Sequence, residues 1–258
     1  MIADRYDCFI VDLDGVVFRG DQVVPQAPEA LARLRVNGRR IVFMTNNSSR
    51  TPGQVADKLA SLGIEAHPDE VQTSALATAD LLAARGGGTA FVIGEAGIKE
   101  ALSAAGLRVL DGRADRVDYV VVGWDREVTF SKLATAALLI QSGAGLVATN
   151  ADPAYPAPEG LLPGAGALLA VLTTTTGVVP EVVGKPHAPL YRAALRRAGG
   201  GRPLVIGDRL DTDILGAAEL GWDSFLVLTG ITGRDELAGS PVRPTYVADD
   251  LSDLFSNT

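Results

Sequence analysis

Short unbroken apolar runs punctuate this chain, and each ends in small or polar residues. Residues 8–18 read CFIVDLDGVVF, four apolar positions without alternation followed by two aspartates one residue apart and a glycine. A run with no alternation predicts a strand buried on both faces, as in a parallel sheet. The pattern recurs at 41–44, which ends at Thr45, Asn46, Asn47 and Ser48, at 204–206, which ends at Gly207 and Asp208, and at 225–228, which ends at Thr229 and Gly230. Between the runs, apolar residues return at helical spacing. Residues 28–36 place Ala30, Leu31 and Leu34 on one face, 52–62 place Val55, Leu59 and Leu62, and 214–220 place Ala217 and Ala218. Thr51 before Pro52 and Gly63 after Leu62 mark the ends of the second of these helices. Strands alternating with helices predict an α/β fold with a doubly wound parallel sheet.

The middle of the chain repeats this grammar independently. Strands are predicted at 89–93, 119–122 and 146–148, and helices at 96–105, 130–141 and 165–172, with 173–176 the frayed end of the last helix before Gly177. The glycine triplets at 86–88 and 199–201 read as loops. A second set of strands and helices predicts a smaller α/β domain inserted into the first sheet. Residues 1–78 and 182–258 then form the enclosing domain and 79–181 the insertion.

At 258 residues and 47% hydrophobic content, the chain can bury a sizeable core. Its single cysteine, Cys8, lies inside the first apolar run, which excludes an intramolecular disulfide and a thiolate metal site and fits a reducing compartment. The opening MIADRYD leads straight into a strand with no signal-peptide pattern, and no apolar run approaches the length of a membrane span. The expectation is a cytoplasmic protein with no membrane partner. A net charge of −8 argues against a nucleic-acid partner and means that any anionic ligand must be held by local positive groups.

In open α/β sheets, ligands bind at the carboxyl ends of the strands. Taken alone, residues 12–15 are also ordinary turn chemistry after a core strand. Taken together, the polar segments offer Asp12, Asp14, Thr45, Asn46, Lys185, Asp208 and Asp213. Carboxylates converging without a cancelling charge call for a cation. With one cysteine and only His67 and His187 as nitrogen ligands, an oxygen-only set favours Mg²⁺ over zinc. Lys185 and the Thr45 hydroxyl supply donors for an anion beside that metal. This is the equipment of phosphoryl transfer.

DLDGV at 12–16, TNNS at 45–48, GKP at 184–186 and GDRLDTDI at 207–214 resemble the four ordered motifs of haloacid dehalogenase superfamily phosphatases. In the insertion, VVVGWDREVTF at 120–130 and ATNADPAYPAPEGLLPGAG at 148–166 resemble the α/β cap of the nitrophenylphosphatase and phosphoglycolate phosphatase branch. The likeness implies a Mg²⁺-dependent phosphomonoesterase that hydrolyses small phosphorylated metabolites, and p-nitrophenyl phosphate, through an aspartyl-phosphate. It implies Asp12 as nucleophile and Asp14 as general acid and base. Thr45 and Lys185 would hold the phosphoryl oxygens, with Asn46 orienting the transferring group or the nucleophile. The metal would be held by Asp12, the main-chain carbonyl of Asp14 and Asp208, with Asp213 acting from a second layer or through water.

Relatives often dimerise through the cap, so a homodimer through the insertion is an expectation. Leaving-group selectivity is assigned to the insertion, with Arg126 and Glu127 first and the loop at 152–163 next. Asp211 reads as a solvated or capping residue, Arg209 as a salt-bridge partner, and His187 as a loop residue. A phosphomutase or other aspartyl-phosphate transferase on the same fold is the alternative. So is a non-catalytic phospho-ligand sensor, which would be expected to lack a nucleophile, an acid or a metal ligand.

Overall fold

Strand β1 (Cys8–Asp12) is buried along its whole length, as its unbroken apolar run requires. The computed structural model of the chain describes residues 1–110, 112, 115–157 and 160–256. After β1 come a hairpin of β2 (Phe18–Arg19) and β3 (Gln22–Val23), helix α1 (Ala27–Val36), β4 (Arg40–Thr45), α2 (Pro52–Ser61) and β5 (Val71–Thr73). Next are α3 (Ser74–Ala84), β6 (Thr89–Ile93), α4 (Ala96–Ala104), β7 (Arg108–Leu110), β8 (Tyr119–Val122), α5 (Phe130–Gln141) and β9 (Gly145–Ala148). A hairpin of β10 (Ala154–Ala157) and β11 (Gly160–Pro163) leads to α6 (Ala165–Thr176), β12 (Glu181–Val182), α7 (Ala188–Arg197) and β13 (Pro203–Gly207). A π turn (Leu210–Ile214) runs into α8 (Leu215–Glu219), followed by β14 (Asp223–Val227), α9 (Arg234–Gly239) and β15 (Tyr246–Ala248).

These elements pack into two units. The first comprises Met1–Thr45, Pro52–Gln72 and Lys185–Thr258, and the second Asn46–Thr51 and Thr73–Gly184. In the first, a six-stranded sheet runs in the order β15-β14-β13-β1-β4-β5. β1 lies parallel to β13 on one side, with Val11 opposite Ile206, and to β4 on the other, with Asp12 opposite Met44. The chain builds outward from β1 in both directions, so its carboxyl end is a topological switch point, where open α/β sheets bind ligands. Phe9, Val11, Phe43, Ile206 and Phe225 of the sheet pack with Leu31, Leu34 and Leu59 of the helices. Each such side chain taken from water contributes about 1.5–3 kcal/mol, which fixes the strands whose ends carry the polar residues.

The second unit has its own sheet, in the order β12-β9-β8-β6-β7 with parallel pairings. Phe91, Ile93, Val120, Val122, Leu146, Leu139, Leu169 and Leu172 form its core. Helix α3 starts at Thr73, whose hydroxyl accepts the Leu76 amide, and packs on α4. The expected fraying of residues 173–176 does not occur, because α6 continues through them to Thr176 and ends at Gly177 with φ of 70°. The hydroxyls of Thr173, Thr175 and Thr176 donate to the carbonyls of Ala170, Val171 and Leu172, so side chains that ordinarily compete with a helix are turned back onto it. Among the described residues, no helix is long and apolar enough to cross a membrane.

Candidate active site

The carboxyl ends of β1 and β13, the segment between β12 and α7 and the π turn bring Asp12, Asp208, Lys185 and Asp213 together, all of them buried. One carboxylate oxygen from each of Asp12, Asp208 and Asp213 lies within 4.8 Å of the others. The Lys185 ammonium donates to Asp12 Oδ1 at 2.6 Å and to Asp213 Oδ1 at 2.8 Å. With every group ionised, three carboxylates and one ammonium leave the pocket two negative charges in excess. Burial raises the Asp12 carboxyl well above its ordinary range, and Asp213 and Asp208 add to the rise while Lys185 opposes it. Burial likewise pushes Asp208 up to about 6, reinforced by Asp213. For Lys185, burial favours the neutral amine, but Asp12 and Asp213 outweigh it and hold the ammonium protonated.

Asp208 is gripped on one side only. Its Oδ2 accepts the Ile231 amide at 2.7 Å, whereas the buried Oδ1 has no hydrogen-bond partner among the described residues. An orphaned buried carboxylate oxygen is costly unless a cation is meant to sit against it. Excess negative charge and oxygen donors make the cluster fit a hard divalent ion of the Mg²⁺ class.

Glycines give these acids their room. A Cβ on Gly15, where φ is +83°, would lie 2.3 Å from Asp208 Oδ2, and one on Gly230 would lie 1.9 Å from the same oxygen. A Cβ on Gly207 would fall 2.1 Å from Asp213 Cβ. The loop after β14 completes the clasp, with the Thr229 hydroxyl donating to the Gly15 carbonyl at 2.6 Å and the Thr232 amide to the Asp208 carbonyl at 3.1 Å. Tyr191 on α7 donates its buried hydroxyl to the Thr212 carbonyl at 2.8 Å, tying the helix that follows Lys185 to the turn that carries Asp213. The strand-end pattern located Gly207 and Gly230, but not what they face. Nothing in the local sequence around Tyr191 marks its partner.

The remaining candidates take different positions. Asp14 is exposed just beyond β1, in a turn closed by the Gly15 amide on the Phe18 carbonyl at 2.8 Å. Thr45 is buried at the end of β4, one residue past the partner of Asp12. Asn46 belongs to the second unit, where its side-chain amide donates to Asp152 Oδ2 at 3.0 Å. The Asn47 side chain accepts from the Ser49 and Arg50 amides and so caps its own turn. Asp211 pairs with Arg209 at 2.7 Å, and His187 is exposed at the position before α7.

Arg126 and Glu127 also lie in the second unit, on a cavity of about 680 Å³ lined with Glu95, Lys99, Asp125 and Lys132. Arg126 is 65% exposed, pairs with Glu95 at 2.7 Å and lies over Trp124, which stacks on Tyr155. The ammonium of Lys132 is bonded to the buried Asp125. Of the loop at 152–163, Pro158 and Glu159 lie outside the described residues.

A family model described as haloacid dehalogenase-like hydrolase matches residues 9–108, and a second, HAD-hydrolase-like model matches residues 182–254. The chain is 40% identical over 251 residues to 5'-nucleotidase YutF of Bacillus subtilis, covering 96% of this chain and 97% of the relative. It is 38% identical to an acid sugar phosphatase of Staphylococcus aureus, covering 98% of each. Among solved structures, glycerol phosphate phosphatase Rv1692 of Mycobacterium tuberculosis in complex with magnesium superposes with a TM-score of 0.93 at 42% identity. That match covers 98% of this chain and 77% of that one. A p-nitrophenyl phosphatase from Archaeoglobus fulgidus superposes with a TM-score of 0.90 at 33% identity, covering 96% and 98%. Motif order, the acid cluster at the switch point and full-length similarity to named phosphatases place this chain in the haloacid dehalogenase-like hydrolase family, in its nitrophenylphosphatase-like branch.

Proposed function

We propose that this chain is a Mg²⁺-dependent phosphomonoesterase working through an aspartyl-phosphate on Asp12. The observation that carries the reading is the buried, net-negative cluster of Asp12, Asp208 and Asp213, with Asp208 Oδ1 unpartnered and one protonated lysine beside the nucleophile candidate. Asp12, Asp208 and Asp213, with the main-chain carbonyl of Asp14, would hold Mg²⁺, which when bound offsets the carboxylate charge and polarises the phosphoryl group. Asp12 then attacks phosphorus in line with the departing alkoxide. Lys185 and the Thr45 hydroxyl hold the phosphoryl oxygens as charge shifts onto them. Asp14, exposed where Asp12 is buried, gives its proton to the leaving oxygen. It takes a proton back from the water that opens the acyl phosphate and regenerates the Asp12 carboxylate.

The names of the relatives above are of phosphatases for a nucleotide, a sugar phosphate, a glycerol phosphate and an aryl phosphate, which supports small phosphomonoesters as the substrate class. A hydrolysis screen across such a panel, with and without Mg²⁺, tests this reading. Turnover of at least one member, lost on chelation, is expected. Binding without turnover of every member would favour a sensor.

Protonation of the acid cluster sets a second expectation. The Asp208 carboxyl titrates near 6 in the folded chain against an ordinary value of 3.8, so the folded state binds a proton that the unfolded state releases. Its burial therefore costs nothing below about pH 4 and the full penalty above about pH 6, and metal-free stability should fall as pH rises through that window. A divalent ion relieves the penalty only where the acids are ionised. Saturating Mg²⁺ should thus raise the melting temperature by several degrees more near pH ~7.5 than near pH ~5. An increment independent of pH would contradict the assignment of the metal to this cluster.

The core cluster addresses only the phosphoryl group, which leaves discrimination among leaving groups to the second unit. Arg126 and Glu127 line its cavity, and of the two side chains Arg126 is held, its guanidinium bonded to Glu95. Glu127→Ala should reorder the panel by kcat/KM while hydrolysis of an activated aryl phosphate changes less than about threefold, a surface-substitution effect. An unchanged ranking in both Glu127→Ala and Arg126→Ala would move selectivity to the loop at 152–163.

A further inference from the structure

The chain leaves the first unit at Thr45 and enters the second at Asn46, so neighbours within one phosphate-loop motif belong to different packing units. Asn46 is held at both ends. Its main-chain carbonyl accepts the Ser74 hydroxyl at 2.6 Å and the Asn150 side-chain amide at 2.8 Å. Its own side-chain amide donates to Asp152 Oδ2 at 3.0 Å, and the Asp152 main-chain amide donates to Asn150 Oδ1 at 3.1 Å. These bonds close a ring running from the Asn46 carbonyl through Asn150 and Asp152 back to the Asn46 carboxamide. Ser74 and Asn150 are buried, so the ring sits on a fixed base.

We infer that Asp152 is a positioning residue that sets the orientation of the Asn46 carboxamide, the group read here as contacting the phosphoryl oxygens or the nucleophile. The inference rests on the phosphatase reading above. An ionised carboxylate only accepts hydrogen bonds, so it dictates which end of the amide faces it: the NH₂ must point to Asp152 and Oδ1 the other way. Gly184 provides for that second direction, because a Cβ there would lie 2.5 Å from Asn46 Oδ1 and 2.4 Å from the Thr149 carbonyl. A carboxamide in its place, carrying donors as well as an acceptor, would tolerate either amide orientation. A carboxylate also makes the stronger, charge-assisted bond.

A purely structural role is the competing account, since the Asp152 carbonyl also accepts the Gly166 amide at 2.9 Å and helps start α6. That bond uses the main chain and survives any substitution at this position, so the side chain can be tested separately. On one phosphomonoester that the wild type hydrolyses, Asp152→Ala should lower kcat/KM by roughly ten- to a hundredfold, the range for losing a bond to a charged group. Asp152→Asn, which keeps an acceptor oxygen, should recover most of the loss. The deciding measurement is the cycle with Asn46→Ala. If Asp152 acts through Asn46, the double variant is no slower than Asn46→Ala alone. Should Asp152→Ala fail to fold, the cycle is run with Asp152→Asn, whose smaller loss must likewise vanish in the Asn46→Ala background. Losses that multiply, wild-type kinetics in Asp152→Ala, or full activity in Asn46→Ala would each overturn the inference while leaving the phosphatase reading intact. A wild type with no turnover on any phosphomonoester would overturn both.

Discussion

Asp12→Asn should lower turnover by on the order of 10⁴–10⁶-fold, the scale on which a covalent nucleophile is lost. The carboxamide has almost the shape of the carboxylate, so packing at the end of β1 is kept, but its oxygen is neither a competent nucleophile nor a strong metal ligand. The cost to stability should be small and of uncommon sign. Asp12 is one of three acids crowded around a single lysine, and its carboxyl is raised by burial and by Asp213 and Asp208. Removing its charge relieves that repulsion, so the metal-free variant should melt no lower than the wild type at neutral pH. A folded Asp12→Asn protein with turnover within about tenfold of wild type would remove Asp12 from the nucleophile's role.

The second large effect is at Lys185. Its ammonium is the buried cation bonded to Asp12 and Asp213, so Lys185→Met leaves acids facing one another without it. Breaking a buried ion pair by deleting one partner costs about 3–5 kcal/mol, because the remaining charge is stranded out of water. In a protein of this size that is a fall of roughly 6–20 °C in melting temperature. The deficit should shrink at acid pH, where Asp12 and Asp208 take up protons, and shrink again with Mg²⁺. Turnover should drop by about 10³-fold even in folded protein, since in the proposed reaction the same ammonium would stabilise the charge on the transferring group. A variant that melts as the wild type does at neutral pH would show that the lysine does not neutralise this cluster.

Both effects involve residues that were legible in the sequence, for a physical reason. A parallel strand buried on both faces has to be apolar throughout, so the first polar residue after the run marks its carboxyl end. That is how Asp12, Thr45 and Asp208 declared themselves. The parallel, doubly wound character of the sheet then follows from strands alternating with helices. The helical threonines at 173–176 were not legible, because their hydroxyl bonds to the preceding turn exist only once the helix has formed. The hairpin of β10 and β11 has too few residues per strand to show a period. The contacts of Gly15 and Gly230 with Asp208, of Tyr191 with the Thr212 carbonyl and of Asn46 with Asp152 join residues from different elements, more than a hundred positions apart in two of the four cases. Local pattern says nothing about such pairs. What it located was the strand ends, and the packing of the sheet decided which of them meet.

The central claim is that phosphorus passes through Asp12, and the most direct test is to catch it there. Acid quenching during steady-state turnover of a phosphomonoester, followed by proteolysis and mass spectrometry, should find a phosphoryl adduct on the peptide that carries Asp12. The adduct should be absent from the Asp12→Asn protein. It should decay on chasing with unlabelled substrate at least as fast as the enzyme turns over. Turnover with no adduct, and with inversion rather than retention of configuration at a chiral phosphorus, would mean that water attacks the substrate directly and that Asp12 is not the nucleophile.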